Sequence, residues 1–329
     1  MKPRRKAIAE RACYIYVALL SIWFLLWLFA GDSYWWLTLL NRIALELFLP
    51  ALLLAPFAFW QPRLIGLMLV PGAMFTYLYG PYLIPRPLPH ATQATLRVMT
   101  YNVLYNNAHS SVVAQVIQEY APDLVALQEV QPDRMAALRE QLQSDYPWSM
   151  SGAEHPFGTT AVFSRHAFVG GKVLDLEADR TAVVVQVTVA GQEVTFISAH
   201  LLAYNLQFVA LPDIPQTVAR LSAQQRHQAV VLAKEVEQQA NATILACDCN
   251  AEETSDAYRV LGVTLQNAAR IGGWAWGDIP PVGTRSEHRL ERLDYVFFHG
   301  GVRPAGEYVV ENSGGSDHHP LLVVFDLTH

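Results

Sequence analysis

The stretch Ser313–Phe325, SGGSDHHPLLVVF, sets Ser, Asp and two His directly before a run of apolar strand formers. A turn calls for Gly, Ser or Asp but has no use for paired histidines. Asp317, His318 and His319 therefore read as groups held at the rim of a sheet, where a ligand can meet them. That reading requires partners elsewhere in the chain.

The same arrangement recurs upstream. From residue 95 onward, LRVMTYNV, PDLVALQEV, TTAVFSR, AVVVQVTVA, EVTFISAHL, ATILACDCN, RLDYVFF and PLLVVFDL read as strands. SVVAQVIQEY, PDRMAALREQLQ and PQTVARLSAQQRHQAVVLAKEVEQQ read as helices. A GQ hairpin signal among strand–helix units implies a mixed-sheet α/β protein. Polar residues close the apolar runs: Asn102, Glu129, His200, Asp248 with Asn250, Asp294, and Asp317 with His318. Each alone has an ordinary reading as a cap, turn or rim residue. Together they exceed it, because a buried charge without a partner is costly. Their convergence on one sheet edge is expected.

The residue types select a chemistry. Glu129 and Asp317, with the Asn102 amide oxygen, are hard ligands suited to Mg²⁺ or Mn²⁺. Histidines beside such a site can hydrogen-bond phosphoryl oxygens, and an Asp beside a His supports its cationic form. The set suits attack of water on a phosphate ester. The sequence contains no HExxH, zinc-finger spacing or phosphate-cradling glycine loop.

TYNV, LQEV, FGTTAVFSR, SAHL, CDCN, RLDYVFF and SDHHP, in that order, resemble the motifs of the endonuclease/exonuclease/phosphatase superfamily. The resemblance spans Leu96–Leu327. It implies the fold of pancreatic deoxyribonuclease, shared with neutral sphingomyelinases and inositol phosphate phosphatases: a four-layered α/β sandwich with two packed mixed β-sheets. By this similarity Asn102, Glu129 and Asp317 surround the metal, with Glu129 its main ligand. Asp248 orients the attacking water and Asn250 holds the phosphate. His200 and His318 contact phosphoryl oxygens, with Asp294 paired to His318. His319 is extra. CDCN departs from the family's Gly-Asp-Phe-Asn or Gly-Asp-Trp-Asn, since Cys247 replaces a glycine and Cys249 an aromatic. A Cys-x-Cys metal site is one reading; two small, inert buried residues is the preferred one. Two positions apart in a strand, they are poorly placed to bridge.

The first part of the chain differs in kind. Ala12–Gly31 is an uncharged run of 20 residues, and Leu64–Ile84 one of 21. Ile43–Trp60 is apolar except for Glu46, which reads as an interfacial carboxylate. A cleaved signal peptide shares the basic start, but this apolar core is long for one and two further segments follow. Three transmembrane helices are expected, at about 12–31, 43–60 and 64–84, making residues 1–84 a membrane domain. Residues 85–95, with Pro85, Pro87 and Pro89, form a stiff linker, and residues 96–329 form the catalytic domain. Five basic residues precede the first span, which favours a cytoplasmic N-terminus. Three crossings then place the catalytic domain on the extracytoplasmic side. Arg42, Arg86 and Arg97 on that side run against the charge bias.

Residues 1–85 carry seven of the 23 basic and three of the 29 acidic residues, leaving 16 basic against 26 acidic for the remainder. Lys172 and Lys234 are its only lysines. That balance disfavours a grip on long nucleic acids, which rests on Lys/Arg clusters. Leu201–Pro215, LLAYNLQFVALPDIP, follows the His200 strand with one charge, Asp213. It reads either as a core-packed excursion or as a lipid-facing lip. Trp274 and Trp276 are candidates for the same rim. The favoured expectation is a membrane-tethered phosphodiesterase or phosphatase acting on lipid head groups of the bilayer. An extracytoplasmic nuclease is the alternative.

Overall fold

The computed structural model describes residues 3–58, 61–83, 95–155, 157–272 and 291–327. The proline-rich linker through residue 94, Trp274 and Trp276 lie outside the described residues.

Alternation along the strands builds the second half of the chain in layers. One sheet holds β1 (Thr95–Asn102), β2 (Leu124–Val130), β3 (Trp148–Ser151), β4 (Thr159–Ser164), β11 (Arg303–Val309) and β12 (Leu321–Asp326), in the order β11-β12-β1-β2-β4-β3. The second holds β5 (Phe168–Asp175), β6 (Thr181–Val189), β7 (Gln192–His200), β8 (Ala242–Asp248), β9 (Gln266–Asn267) and β10 (Asp294–His299), in the order β5-β6-β7-β8-β10-β9. Both sheets are mixed: β1 runs parallel to β2 and β7 to β8, while β12 and β10 pair antiparallel. Leu96, Val98, Leu124, Ala126, Val185, Phe196, Ile244 and Val296 meet between the sheets. Their neighbours one residue on face outward. Met99, Tyr101, Val125 and Leu127 pack under α5 (Ser110–Tyr120) and α6 (Pro132–Leu142). Val184, Ile197, Leu245 and Phe297 pack under α7 (Ile214–Glu237) and α8 (Asp256–Thr264). The short α9 (Ala268–Gly272) follows β9. The hairpin between β6 and β7 turns at Ala190 and Gly191, both with positive φ, and Gln192 already belongs to β7.

The first half is partly as expected. α1 (Pro3–Ala30) and α4 (Pro62–Leu83) contain segments, 6–30 and 63–82, long and apolar enough to cross a membrane. Of the span expected at 43–60, the described helical part runs from Glu46 to Ala58, and a break at 43–45 separates it from the preceding helix. α2 (Trp35–Arg42), a 3₁₀ turn at Glu46–Phe48 and α3 (Leu49–Ala58) occupy the return, and the two arms bend by 75°. The polar pair Asn41 and Arg42 ends α2, while Pro50 suits the first turn of a new helix. Among the described residues two helices therefore qualify as spans, or three if the bent pair counts as one. α1 and α4 run in the same direction: Cys13 packs with Leu64, and farther along Phe24 and Trp27 meet Tyr77. Leu54 of α3 joins the Cys13–Leu64 cluster.

Candidate active site

Strand register brings the polar strand ends together. His200 lies opposite Asp248 on β7 and β8, and Asp294 lies opposite Asp248 on β8 and β10. Across the sandwich, β1 ends in Asn102 and β2 carries Glu129. The pairing of β2 with β4 slips by one residue between Leu127 and Val130, and Glu129 sits in that bulge at φ +60°. A bulge re-aims a side chain, here onto the shared edge. Gly158 of the FGTT motif, at φ +80°, makes this possible: a Cβ there would come 2.3 Å from the Glu129 main chain. Asn250, just past β8, is also left-handed at φ +45°. Such conformations cost roughly 1–3 kcal/mol each and gather at functional sites.

The loop before β12 is pinned from below. Ser316 Oγ donates to the Asn102 carbonyl at 2.6 Å, the His318 main-chain N donates to Ser316 Oγ, and Tyr101 Oη donates to the Ser313 carbonyl at 2.6 Å. His318 Nδ1 then stands 2.8 Å from Asp294 Oδ2, with its Nε2 3.9 Å from Asp248 Oδ2. His200 Nε2 lies 3.6 Å from Asp248 Oδ2 and 3.8 Å from Glu129 Oε1, buried and without a hydrogen-bond partner. Asn102 Nδ2 donates to both carboxylates, at 3.0 Å to Glu129 and 2.8 Å to Asp248. Glu129 Oε2 accepts from the Tyr105 main-chain N at 2.9 Å.

Burial sets the charges. It pushes the Asp248 carboxyl up, reinforced by Asp294 and opposed by His318. It pushes His200 well down, with Arg180 and His318 adding to the effect, so His200 is neutral. Burial also pulls His318 down, but Asp294 and Asp248 outweigh it and hold this imidazole well above its usual range. One neutral and one cationic histidine thus flank a carboxylate edge.

Glu129, His200 and Asp248 present ligand atoms within 4.8 Å of one another, as do Asp248, Asp294 and His318. Of the residues expected around a metal, Glu129 joins the first group. Asn102 turns its Nδ2 toward the carboxylates, while its Oδ1 accepts from Leu104 N. Asp317 is half-buried beside His318 and belongs to neither group. His319 turns away, with Nδ1 3.0 Å from the Val310 carbonyl oxygen. Cys247 and Cys249 are joined as a disulfide, against the expectation that they could not easily bridge. β8 ends at Asp248, so the chain bends there and the Cα atoms close to 5.2 Å, inside the usual disulfide range.

Sequence reasoning missed Arg180. It lines a cleft of about 500 Å³ with His200, His155, Thr159, Thr160 and Thr181, and it feels the charges of Glu129 and Asp248. Its Nε is buried without a hydrogen-bond partner. The only signal for it is a lone Arg ahead of a buried strand in a lysine-poor domain.

The family model described as Endonuclease/Exonuclease/phosphatase family matches residues 99–318, from the first strand through His318. The chain belongs to this family. Members of the endonuclease/exonuclease/phosphatase family hydrolyse phosphate esters. No curated protein matches the chain. Among solved structures, a family protein from Beutenbergia cavernae DSM 12333 is 22% identical with a TM-score of 0.57, covering 71% of this chain and 72% of that one. A mannosyl-6-phosphatase from Bacteroides thetaiotaomicron is 16% identical with a TM-score of 0.55, covering 70% of this chain and 99% of that one. The human Nocturnin catalytic domain, with a bound sulfate anion, is 19% identical with a TM-score of 0.57, covering 73% of this chain and 99% of that one. These likenesses establish the shared fold.

Proposed function

We propose that the chain is a membrane-tethered, divalent-metal-dependent phosphoesterase acting on lipid head groups. The observation that carries the catalytic part is the meeting of Glu129, His200 and Asp248 at one edge, beside the His318–Asp294 pair. A divalent cation fits the donor set, in which the Glu129 and Asp248 carboxylates meet, while the buried, unpartnered His200 Nε2 beside them is left to meet the phosphoryl group. Glu129 is its principal holder, at the edge that Asn102 and Asp317 also border. Bound there, Mg²⁺ or Mn²⁺ supplies Lewis-acid neutralisation of the phosphoryl group.

The chain's own residues supply the rest. Asp248, raised in pKa and buried, orients the attacking water and accepts its proton. His318, kept charged by Asp294, donates to a phosphoryl oxygen and offsets its growing charge. His200 and Asn250 hold the phosphate opposite. The cleft beside His200 is the size of a head group, and its threonine hydroxyls and Arg180 suit a polar one. A polynucleotide would call for a basic groove, which the excess of acidic residues in this half argues against.

The membrane reading rests on helix direction. The C-terminal ends of α1 and α4 both abut the hydrolase half: Trp27 Nε1 donates to the Thr254 carbonyl at 2.8 Å, and Asn267 Nδ2 donates to Tyr82 Oη at 2.8 Å. Parallel spans require a return between them, and in this reading the bent α2–α3 stretch serves as that third crossing. With the basic N-terminus in the cytoplasm, the hydrolase half lies outside.

The Leu201–Pro215 segment supports lipid as the substrate class. Its two 3₁₀ turns contain no buried residue, and Phe208 and Leu211 are 83% and 82% exposed, which argues against the core-packed reading. Phe208→Asp and Leu211→Asp are expected to fold normally and to lower hydrolysis of bilayer lipids. Each apolar side chain withdrawn from lipid removes about 1.5 kcal/mol, or about tenfold. A small soluble phosphodiester is expected to be cleaved as by the wild type. Equal losses on both substrates, with a lowered melting temperature, would overturn the lip.

A further inference from the structure

Arg42 runs against the charge bias of the sequence, and its place in the fold supplies a reason for it. It ends α2, in the membrane half, and reaches the catalytic edge. Its Nη1 donates to the main-chain carbonyl of Asn250 at 3.1 Å. Its guanidinium stacks 4.4 Å from the centre of the Tyr204 ring, and Nη2 lies 3.9 Å from Glu291 Oε1. The side chain is only 17% exposed.

Asn250 needs such support. Its φ of +45° is uncommon for a residue with a Cβ. Three ties define it: its N donates to Asp248 Oδ1 at 3.0 Å, its Nδ2 donates to the Leu201 carbonyl at 3.1 Å, and its carbonyl accepts from Gln225 Nε2 at 2.7 Å. Arg42 occupies the carbonyl's remaining lone pair, so the peptide plane beyond Asn250 is fixed from both sides. Through Tyr204 the same guanidinium also braces the segment after His200. Other seam contacts lie farther from the chemistry. Trp27 Nε1 and the Asn41 carbonyl hold Thr254, and Asp32 Oδ2 accepts from the Asp256 main-chain N.

We infer that Arg42 is a positioning residue for Asn250, so that the membrane half holds part of the reactive geometry. The inference rests on the proposed reading of Asn250 as the holder of the phosphoryl group. A planar Arg that stacks on Tyr204 while one nitrogen donates to the Asn250 carbonyl is not replaceable by a Lys point charge without loss. Small displacements of a positioned group cost rate steeply.

The test uses the full-length protein, Mg²⁺ and a small soluble phosphodiester. Arg42→Ala is expected to lower kcat by about tenfold or more at nearly unchanged KM, with Arg42→Lys recovering part of the loss. Trp27→Phe, which removes one seam hydrogen bond and keeps the ring, is expected to hold kcat within about twofold. Should Arg42→Ala fail to fold, Arg42→Met keeps the apolar stem over Tyr204 and is expected to show the same kcat loss. Asn250→Ala serves as the reference. If it is inactive while folded Arg42 variants match the wild type, the positioning role is wrong and the site reading stands. If Asn250→Ala itself keeps full activity, the site reading fails and takes the inference with it. Equal kcat losses in Arg42→Ala and Trp27→Phe, tracking melting temperature, would reduce Arg42 to a docking contact.

Discussion

Glu129→Gln is expected to lower phosphoester hydrolysis by about 100-fold or more while leaving the fold intact. Gln keeps the volume of the side chain and can still accept from Tyr105 N at the place where Glu129 Oε2 does now. It removes the negative charge that faces His200 Nε2 and the Asn102 amide. The left-handed backbone at Glu129 and the close approach of Gly158 are unaffected by this change, so the bulge persists. Steady-state rates across a Mg²⁺ titration, with melting temperature alongside, check the result. Wild-type activity in this variant, at any metal concentration, would remove Glu129 from the site.

The second large effect is all-or-none. In a bacterial host, protease added to intact spheroplasts is expected to digest residues 96–329 completely while sparing the apolar helices. The parallel course of α1 and α4, with both C-terminal ends against the hydrolase half, requires the chain to return between them. Five basic residues ahead of the first apolar run favour a cytoplasmic N-terminus in the proposed reading. Digestion only after lysis would mean an even number of crossings or the opposite orientation. The broken α2–α3 stretch would be the first place to look.

The strands that sequence patterning recovered are the interior ones, and the reason is physical. β1, β2, β7, β8, β10 and β12 are covered by apolar clusters and therefore read as apolar runs. The four edge strands did not read as strands. β5 carries Gly170 and Gly171, β11 carries Pro304 and Gly306, β3 has four residues and β9 two. Edges tolerate such residues because half of their ladder groups face away from the sheet. The candidate site groups were legible for a related reason, since polar residues ending buried runs stand out against them. Arg180 and Arg42 were not, because each acts across a long sequence separation and neither sits in a motif. The start of the middle segment was not legible, because an apolar run carries no mark of where a helix bends. Only the Asn41–Arg42 pair and Pro50 indicate it.

The measurement closest to the central claim compares substrates for the purified full-length wild type. Lipid vesicles, a small soluble phosphodiester and DNA are offered with Mg²⁺ and again with excess chelator. Hydrolysis is expected to be abolished by chelator and restored by Mg²⁺, with vesicle lipid cleaved in preference to DNA. Preferential cleavage of DNA would contradict the lipid assignment, and undiminished hydrolysis in chelator would contradict the metal-dependent site itself.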